Sequence, residues 1–256
     1  MEQTPNDTER YADALQILSK SDTLSDVQKT KQMLESMLGF KELLMMYACA
    51  IKEIRTKFEV LNTEFNVRYK RNPISHIETR LKSNTSIIMK MMRKSLPITR
   101  AAIEENINDV AGIRIICSYK DDIYRLAESL LRQDDITLLA KKDYIQNPKP
   151  NGYRSYHMIV SVPVFFANER RDVKVEVQIR TIAMDFWASL EHQMKYKQAT
   201  PQESEIEARL KVCADAISSI DAEMLALRKQ IDAGKDIQTE EDLLFERLRH
   251  LSEPIV

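Results

Sequence analysis

Glycine is almost missing from this chain: its 256 residues include only Gly39, Gly112, Gly152 and Gly234. Neither GxxxxGKS/T nor GxGxxG can be built from these, which excludes a glycine-rich phosphate loop. Any phosphate must be held by side chains. Cysteine is equally scarce. Cys49, Cys117 and Cys213 are odd in number, far apart, without a CxxC pattern and set among apolar neighbours, as expected of reduced core residues. The longest apolar run, Leu43 to Ile51, is far short of the ~20 residues that span a bilayer. The acidic N-terminus is unlike a signal peptide, so a cytoplasmic protein with no membrane partner is expected. Acid is lacking in one region: between Arg68 and Arg100 nine basic residues are accompanied by Glu78 alone, although the whole chain has a net charge of -1. Such a local imbalance marks a polyanion site.

What is present is a core-forming composition, 43% hydrophobic, enough for one large domain or one domain with helical additions. Residues 1 to about 24 are polar, with a short helical pattern at Tyr11, Leu15 and Leu18. Leu44, Tyr47, Ile51, Ile54, Phe58, Leu61 and Phe65 alternate steps of three and four, the seam of a long amphipathic helix. It must stop before Asn72-Pro73. A second helix is predicted from Ser75, as N-cap, to Lys94, burying Ile77, Leu81, Ile88, Met91 and Met92. On it Lys82, Ser86, Lys90 and Arg93 share the opposite stripe, with Arg80 at its edge. The stripe lacks the interleaved acids of a merely solvated helix face.

A short helix after Leu96-Pro97 leads to a buried-type strand over 108–117, a helix over 121–133 and a strand over 136–139. The segment from Lys141 to Gly152, rich in Pro and Asn, reads as a loop. Strands over 155–166 and 172–180 follow. In the latter Val173, Val175, Val177 and Ile179 alternate with Lys174, Glu176, Gln178 and Arg180, so four polar side chains share one face. The run Asn151 to His157, if extended, puts Tyr153, Ser155 and His157 on one side. A helix with Trp187, Glu191 and His192 comes next, Trp187 and His192 reading as packing residues. A second heptad seam runs Ile206, Leu210, Cys213, Ile217, Ile220, Met224, Leu227 and Ile231, and a last helix covers about Glu240 to Leu251. The fold class is therefore α/β (α+β): βαβ followed by paired strands in a mixed sheet, with long flanking N- and C-terminal helices. Two seams are more apolar helix than one small domain needs, and part of this surface is expected to meet another subunit.

Asp109 and Glu176 stand out as carboxylates beside polar strand faces. A hard divalent cation such as Mg²⁺ takes oxygen ligands from one or two carboxylates and fills its shell with phosphates and water. With basic side chains for the remaining phosphate charge and flat Tyr and Arg faces for bases, the residues fit Mg²⁺-dependent phosphoryl or nucleotidyl transfer. They do not name the substrates.

Six segments then carry a resemblance: Arg80-Leu81-Lys82, Met92 to Ser95, Asp109 to Arg114, Gly152 to His157, Val175 to Thr181 and Met184 to His192. In order and spacing they resemble the synthetase domain of the RelA/SpoT family, over about Pro73 to Lys197. No His-Asp dipeptide and too little chain are present for the family's hydrolase and regulatory domains, so the chain resembles a stand-alone small alarmone synthetase without hydrolase activity. The implied organisation is an N-terminal helical segment (1–72), a catalytic core (73–197) with a nucleotidyltransferase-like palm, and a C-terminal helical segment (198–256) for oligomerisation, small members being homotetramers. The implied reaction transfers the β,γ-pyrophosphate of ATP to the 3′-hydroxyl of GDP or GTP, giving ppGpp or pppGpp and AMP.

By motif, Arg80 and Arg114 would sandwich adenine, and Lys82, Ser86, Lys90 and Arg93 would hold the ATP phosphates. Asp109 and Glu176 would bind Mg²⁺, with Glu176 taking the proton of the attacking hydroxyl. Tyr153 would stack on guanine; His157, Lys142 and Gln178 would position the acceptor; Asp185 would meet the guanine edge. Ala140 stands where some long synthetases have an arginine, leaving the preference between GDP and GTP open. Some small members are regulated by alarmone or single-stranded RNA, which adds these as partners by resemblance. Two other readings stay open: a nucleotide- or RNA-binding regulator without catalysis, and a different nucleotidyltransferase on the same palm.

Overall fold

The computed structural model describes residues 24–197 and 203–233. Its elements, in order, are α1 (Leu24–Tyr69), β1 (Ile74–Leu81), α2 (Asn84–Arg93), α3 (Arg100–Asn106), β2 (Ala111–Cys117), α4 (Lys120–Leu131), β3 (Thr137–Asp143), β4 (Tyr156–Phe165), β5 (Arg170–Thr181), α5 (Ile182–Lys197) and α6 (Glu203–Ala233). The expected pattern at Tyr11 to Leu18 and the last helix over 240–251 lie outside the described residues. No described helix is long and apolar enough to cross a membrane.

The five strands form one mixed sheet in the order β1-β2-β5-β4-β3. Strands β2 and β5 are parallel; the other pairs are antiparallel. One face is closed by α1 and α4. Val173, Val175, Val177 and Ile179 of β5 and Met158, Val160 and Val162 of β4 are all at most 3% exposed. They meet the α1 seam, where Tyr47, Ile51, Ile54, Phe58 and Leu61 are buried as the spacing predicts, together with Leu43 and Ala50. The helix ends at Tyr69, followed by Lys70 in the left-handed region (φ 48) just ahead of Pro73.

The second predicted helix needs correction. Residues 74–81 form the edge strand β1, and only Asn84–Arg93 is helical. The cap is Ser83, whose hydroxyl accepts from the Ser86 amide, not Ser75. The physical reason is legible afterwards: Ile77, Thr79 and Leu81 alternate with His76, Glu78 and Arg80, a period of two that the helical reading absorbed. Ile87 and Met91 are the buried side chains of α2, while Met92 is 64% exposed. Strand β3 also extends to Asp143, into the expected loop.

Ser155 is not on a polar face either, being fully buried ahead of β4. Cys213, expected in a core, is exposed on α6. Along the second seam Leu210 is buried and Ile217 packs beside it, whereas Ile220, Met224 and Ile231 are more than half exposed. This follows from the small area that α5 offers: α6 rests on Trp187 and Ala188 alone among buried α5 residues.

Phe58 is fully buried at the centre of the α1 contact, so Phe58→Ala should cost about 3–5 kcal/mol. Urea denaturation at fixed protein concentration should show a lower midpoint than for the parent chain.

Candidate active site

The open face of the sheet carries the site, and the strand register decides which residues meet. Pairing places Arg80 opposite Gly112, Gly112 opposite Glu176, and Glu176 opposite Ile159. The next row on the same face reads Glu78, Arg114, Gln178, His157, Lys142. Side chains directly across paired strands are neighbours, so residues up to 100 positions apart in sequence become one surface. Gly112, without a side chain, leaves the floor open between Arg80 and Glu176. A cavity of about 370 Å³ lies there, lined among others by Arg80, Lys82, Asp109, Arg114, Glu176 and Gln178.

At one end of the cavity Asp109 receives Lys82 Nζ on one oxygen and Lys90 Nζ on the other, both at 2.7 Å. Lys82 follows β1 and Lys90 is on α2, so a strand end and a helix are pinned by one carboxylate. Burial alone would raise the Asp109 carboxyl, but the two ammonium groups outweigh it and hold it below the usual range. Glu176 is also pushed up by burial and then pulled below its usual value, here by its neighbours His157 and Gln178; Asp109 repels it. Two ionised carboxylates with oxygen donors toward one cavity are a donor set that suits a hard divalent cation. The lysines on Asp109 would then pass to phosphate oxygens.

At the other end a hydrogen-bonded chain runs from Glu176 through Gln178, Arg180 and Tyr153 to His157. Gln178 Nε2 donates to Glu176 Oε2 (3.1 Å) and Arg180 Nη2 donates to Gln178 Oε1 (2.9 Å). The same Nη2 donates to the Tyr153 hydroxyl (2.5 Å), which lies 2.9 Å from His157 Nε2, and His157 Nδ1 is 3.7 Å from Glu176 Oε1. Asp185, in the first turn of α5, sits between two guanidinium groups, 3.1 Å from Arg180 Nη1 and 3.5 Å from Arg114 Nη1. Arg114 also pairs with Glu78 at 2.8 Å, which explains the single acid of the basic stretch.

The segment before β4 is held from behind by α6. Gly152 has φ +89, and a Cβ there would lie 2.5 Å from that of Ala214, so backbone conformation and close approach both require glycine. Arg154 donates to the Gly152 and Ala214 carbonyls and to Asp215 at 2.9 Å. Trp187 Nε1 donates to the Leu210 carbonyl, the packing role expected of Trp187.

The predicted residues thus gather in two connected groups: Arg80, Lys82, Lys90, Asp109 and Arg114 on one side, Tyr153, His157, Gln178 and Asp185 on the other, with Glu176 between them. Three belong to neither group. Lys142 is exposed on β3 opposite His157, Ser86 takes part in the α2 cap, and Arg93 is exposed at the end of α2. The sequence reading gave no role to Arg180, though its alternation with Glu176 and Gln178 was the signal. Nor did it single out Lys149, whose Nζ lies 4.8 and 4.7 Å from the ring centroids of Tyr144 and Tyr153.

Residues 79–201 match the model of the region found in RelA/SpoT proteins. Over 196 residues the chain is 44% identical to GTP pyrophosphokinase YwaC of Bacillus subtilis, covering 77% of this chain and 93% of that protein. The chain belongs to the RelA/SpoT family. Among solved structures it is similar to small alarmone synthetase 2 of Bacillus subtilis, with a TM-score of 0.67 and 43% identity, covering 75% of this chain and 98% of that one. Small alarmone synthetase 1 of the same organism, bound to its product pppGpp, gives a TM-score of 0.67 and 35% identity over 75% of this chain and 98% of that one. Bound to AMPCPP it gives 0.64 and 33% over 76% and 98%. For a RelA/SpoT chain, the absence of a glycine-rich loop is thus matched by a site in which lysines and arginines face the cavity.

The folded Asp109 carboxyl lies below its ordinary value of 3.8. The stability contributed by its two ion pairs is therefore complete above that value and is lost as pH falls through the lower folded one. Asp109→Asn should flatten part of the acid-side loss of stability below about pH 5, measured as denaturation midpoints across pH. An unchanged slope would mean the pairs are not formed in solution.

Proposed function

We propose that the protein is a GTP pyrophosphokinase, transferring the β,γ-pyrophosphate of ATP to the 3′-hydroxyl of GDP or GTP without hydrolase activity. The observation that carries this reading is the cavity lined by Arg80, Arg114, Lys82, Asp109, Glu176 and Gln178, with Tyr153 and His157 joined to its Gln178 side through Arg180. Two nucleotides laid against these groups would bring a 3′-hydroxyl and a β-phosphorus together over Glu176. The relatives named GTP pyrophosphokinase and the structures holding pppGpp and AMPCPP support the same substrates.

In this mechanism Arg80 and Arg114 flank the adenine, while Lys82, Lys90 and Arg93, with the Ser86 hydroxyl, hold the triphosphate. Glu176 accepts the proton of the 3′-hydroxyl, whose oxygen attacks the β-phosphorus; the bond from that phosphorus to the α,β-bridging oxygen breaks, and AMP leaves with the electron pair. Tyr153 stacks on guanine, and His157, Lys142 and Gln178 orient the acceptor. Asp185, held by Arg114 and Arg180, meets the guanine edge. Asp109 and Glu176 would hold one Mg²⁺, which supplies neutralisation of phosphate charge when bound. Positioning and fixed charge are what such a transfer requires.

Residues 73–197 form the catalytic core in this reading, in the cytoplasm, and the flanking segments 1–72 and 198–256 serve assembly into a homotetramer. The support for assembly is the exposed apolar row Ile220, Met224, Leu227 and Ile231 on α6, a face that a second copy would cover.

Purified protein incubated with Mg²⁺, labelled ATP and separately GMP, GDP, GTP or no acceptor should yield AMP together with a 3′-pyrophosphorylated guanosine. No product with any acceptor, beside measurable guanine-nucleotide binding, would favour a non-catalytic regulator. Glu176→Gln should reduce turnover by at least about 100-fold while ATP still binds; full activity would remove Glu176 as base. Tyr153→Ala should raise the KM of the acceptor about 10-fold or more and that of ATP far less. A selective effect on ATP would mean the two pockets are exchanged.

A further inference from the structure

Arg180 is the most enclosed cation of the site, 5% exposed, and the proposed mechanism gives it no task beyond holding Asp185. All three nitrogens of its guanidinium are engaged. Nε donates to Ser155 Oγ (3.3 Å), Nη1 to Asp185 (3.1 Å), and Nη2 to both the Tyr153 hydroxyl (2.5 Å) and Gln178 Oε1 (2.9 Å). An arginine can only donate, and that restriction propagates through its neighbours.

The Tyr153 oxygen accepts from Arg180, which leaves its single proton available to its other partner, His157 Nε2 at 2.9 Å. A neutral imidazole that accepts on Nε2 carries its proton on Nδ1, the nitrogen that lies 3.7 Å from Glu176 Oε1. The same logic fixes Gln178. Its oxygen is taken by Arg180, so its NH₂ points to Glu176 Oε2 at 3.1 Å. Both oxygens of Glu176 therefore face N–H groups whose orientation is dictated by one buried cation.

We propose that Arg180 is a positioning residue of the acceptor side, which through Tyr153 and Gln178 sets the His157 tautomer and the Gln178 amide so that both present N–H to Glu176. Its consequence for turnover rests on the reading of Glu176 as the base; the hydrogen-bond orientation does not. Tyr153 accordingly has two separable roles, its ring face toward the acceptor base and its hydroxyl as the relay from Arg180.

The test separates them. Histidine ¹⁵N spectra of the full-length protein, recorded at mildly alkaline pH, should show His157 protonated on Nδ1 and bare on Nε2. Tyr153→Phe, which keeps the ring but removes the relay, should abolish that pattern. It should also lower kcat by about 10–100-fold with little change in acceptor KM, whereas Tyr153→Ala acts mainly on KM. Arg180→Lys keeps the charge facing Asp185 but cannot serve four acceptors in one plane, so it should reproduce the Tyr153→Phe spectrum without rescuing turnover. Should Arg180 variants fail to fold because Asp185 loses one of its two arginine partners, Tyr153→Phe alone carries the test. A parent His157 protonated on Nε2, or on both nitrogens, overturns the proposal. So does an unchanged His157 signal in Tyr153→Phe, or a changed one with undiminished kcat. Full activity of Glu176→Gln with the expected spectra would instead defeat the base assignment and leave the orientation standing.

Discussion

The site depends on a geometric constraint, the two-residue period of side chains along paired strands. Once Val173, Val175, Val177 and Ile179 are buried beneath α1, Glu176, Gln178 and Arg180 have no choice of face. Pairing then brings Arg114, His157 and Arg80 onto the same surface from three other strands. A register slip of one residue in β5 would send all three polar groups into the core, so the hydrophobic packing behind the sheet enforces the alignment in front of it. Stability and site geometry are two faces of one pattern.

This accounts for what was legible in the sequence. The alternation in β5 and the three-four steps of α1 state their buried faces directly, and both hold in the structure. The stretch Ile74 to Leu81 was harder because an edge strand buries little: its burial is confined to Ile74 with Ile77 packed beside the core. With so few buried positions, periods of 2 and 3.6 fit the same apolar residues, and the turn chemistry of Ser83-Asn84-Thr85 was the better guide. Cys213 was misplaced for a related reason. A heptad pattern says that a helix has an apolar face, not that the same chain covers it.

The individual site residues were legible through the resemblance, their mutual arrangement was not. No spacing rule connects Asp185 to both Arg114 and Arg180, because those contacts depend on α5 turning back over the ends of β2 and β5. Thr181 makes that turn possible: its hydroxyl accepts from the Met184 amide at the start of α5 and donates to the buried Asp221 of α6. The residue that ends the strand thereby fixes where Asp185 stands.

The pairing of Asp109 with Lys82 and Lys90 has a consequence for how the protein meets its surroundings. The pocket carries its own counter-ion, covalently attached and held by two short contacts. Part of the positive field of Lys82 and Lys90 is thereby cancelled within the protein instead of by mobile salt. Entry of a polyphosphate is then an exchange of one anion for another on the same two cations, and fewer dissolved ions are displaced than the number of lysines and arginines would imply. Affinity for the charged ligand should accordingly respond gently to ionic strength, and such a pocket would discriminate against stray anions too weak to displace a tethered carboxylate.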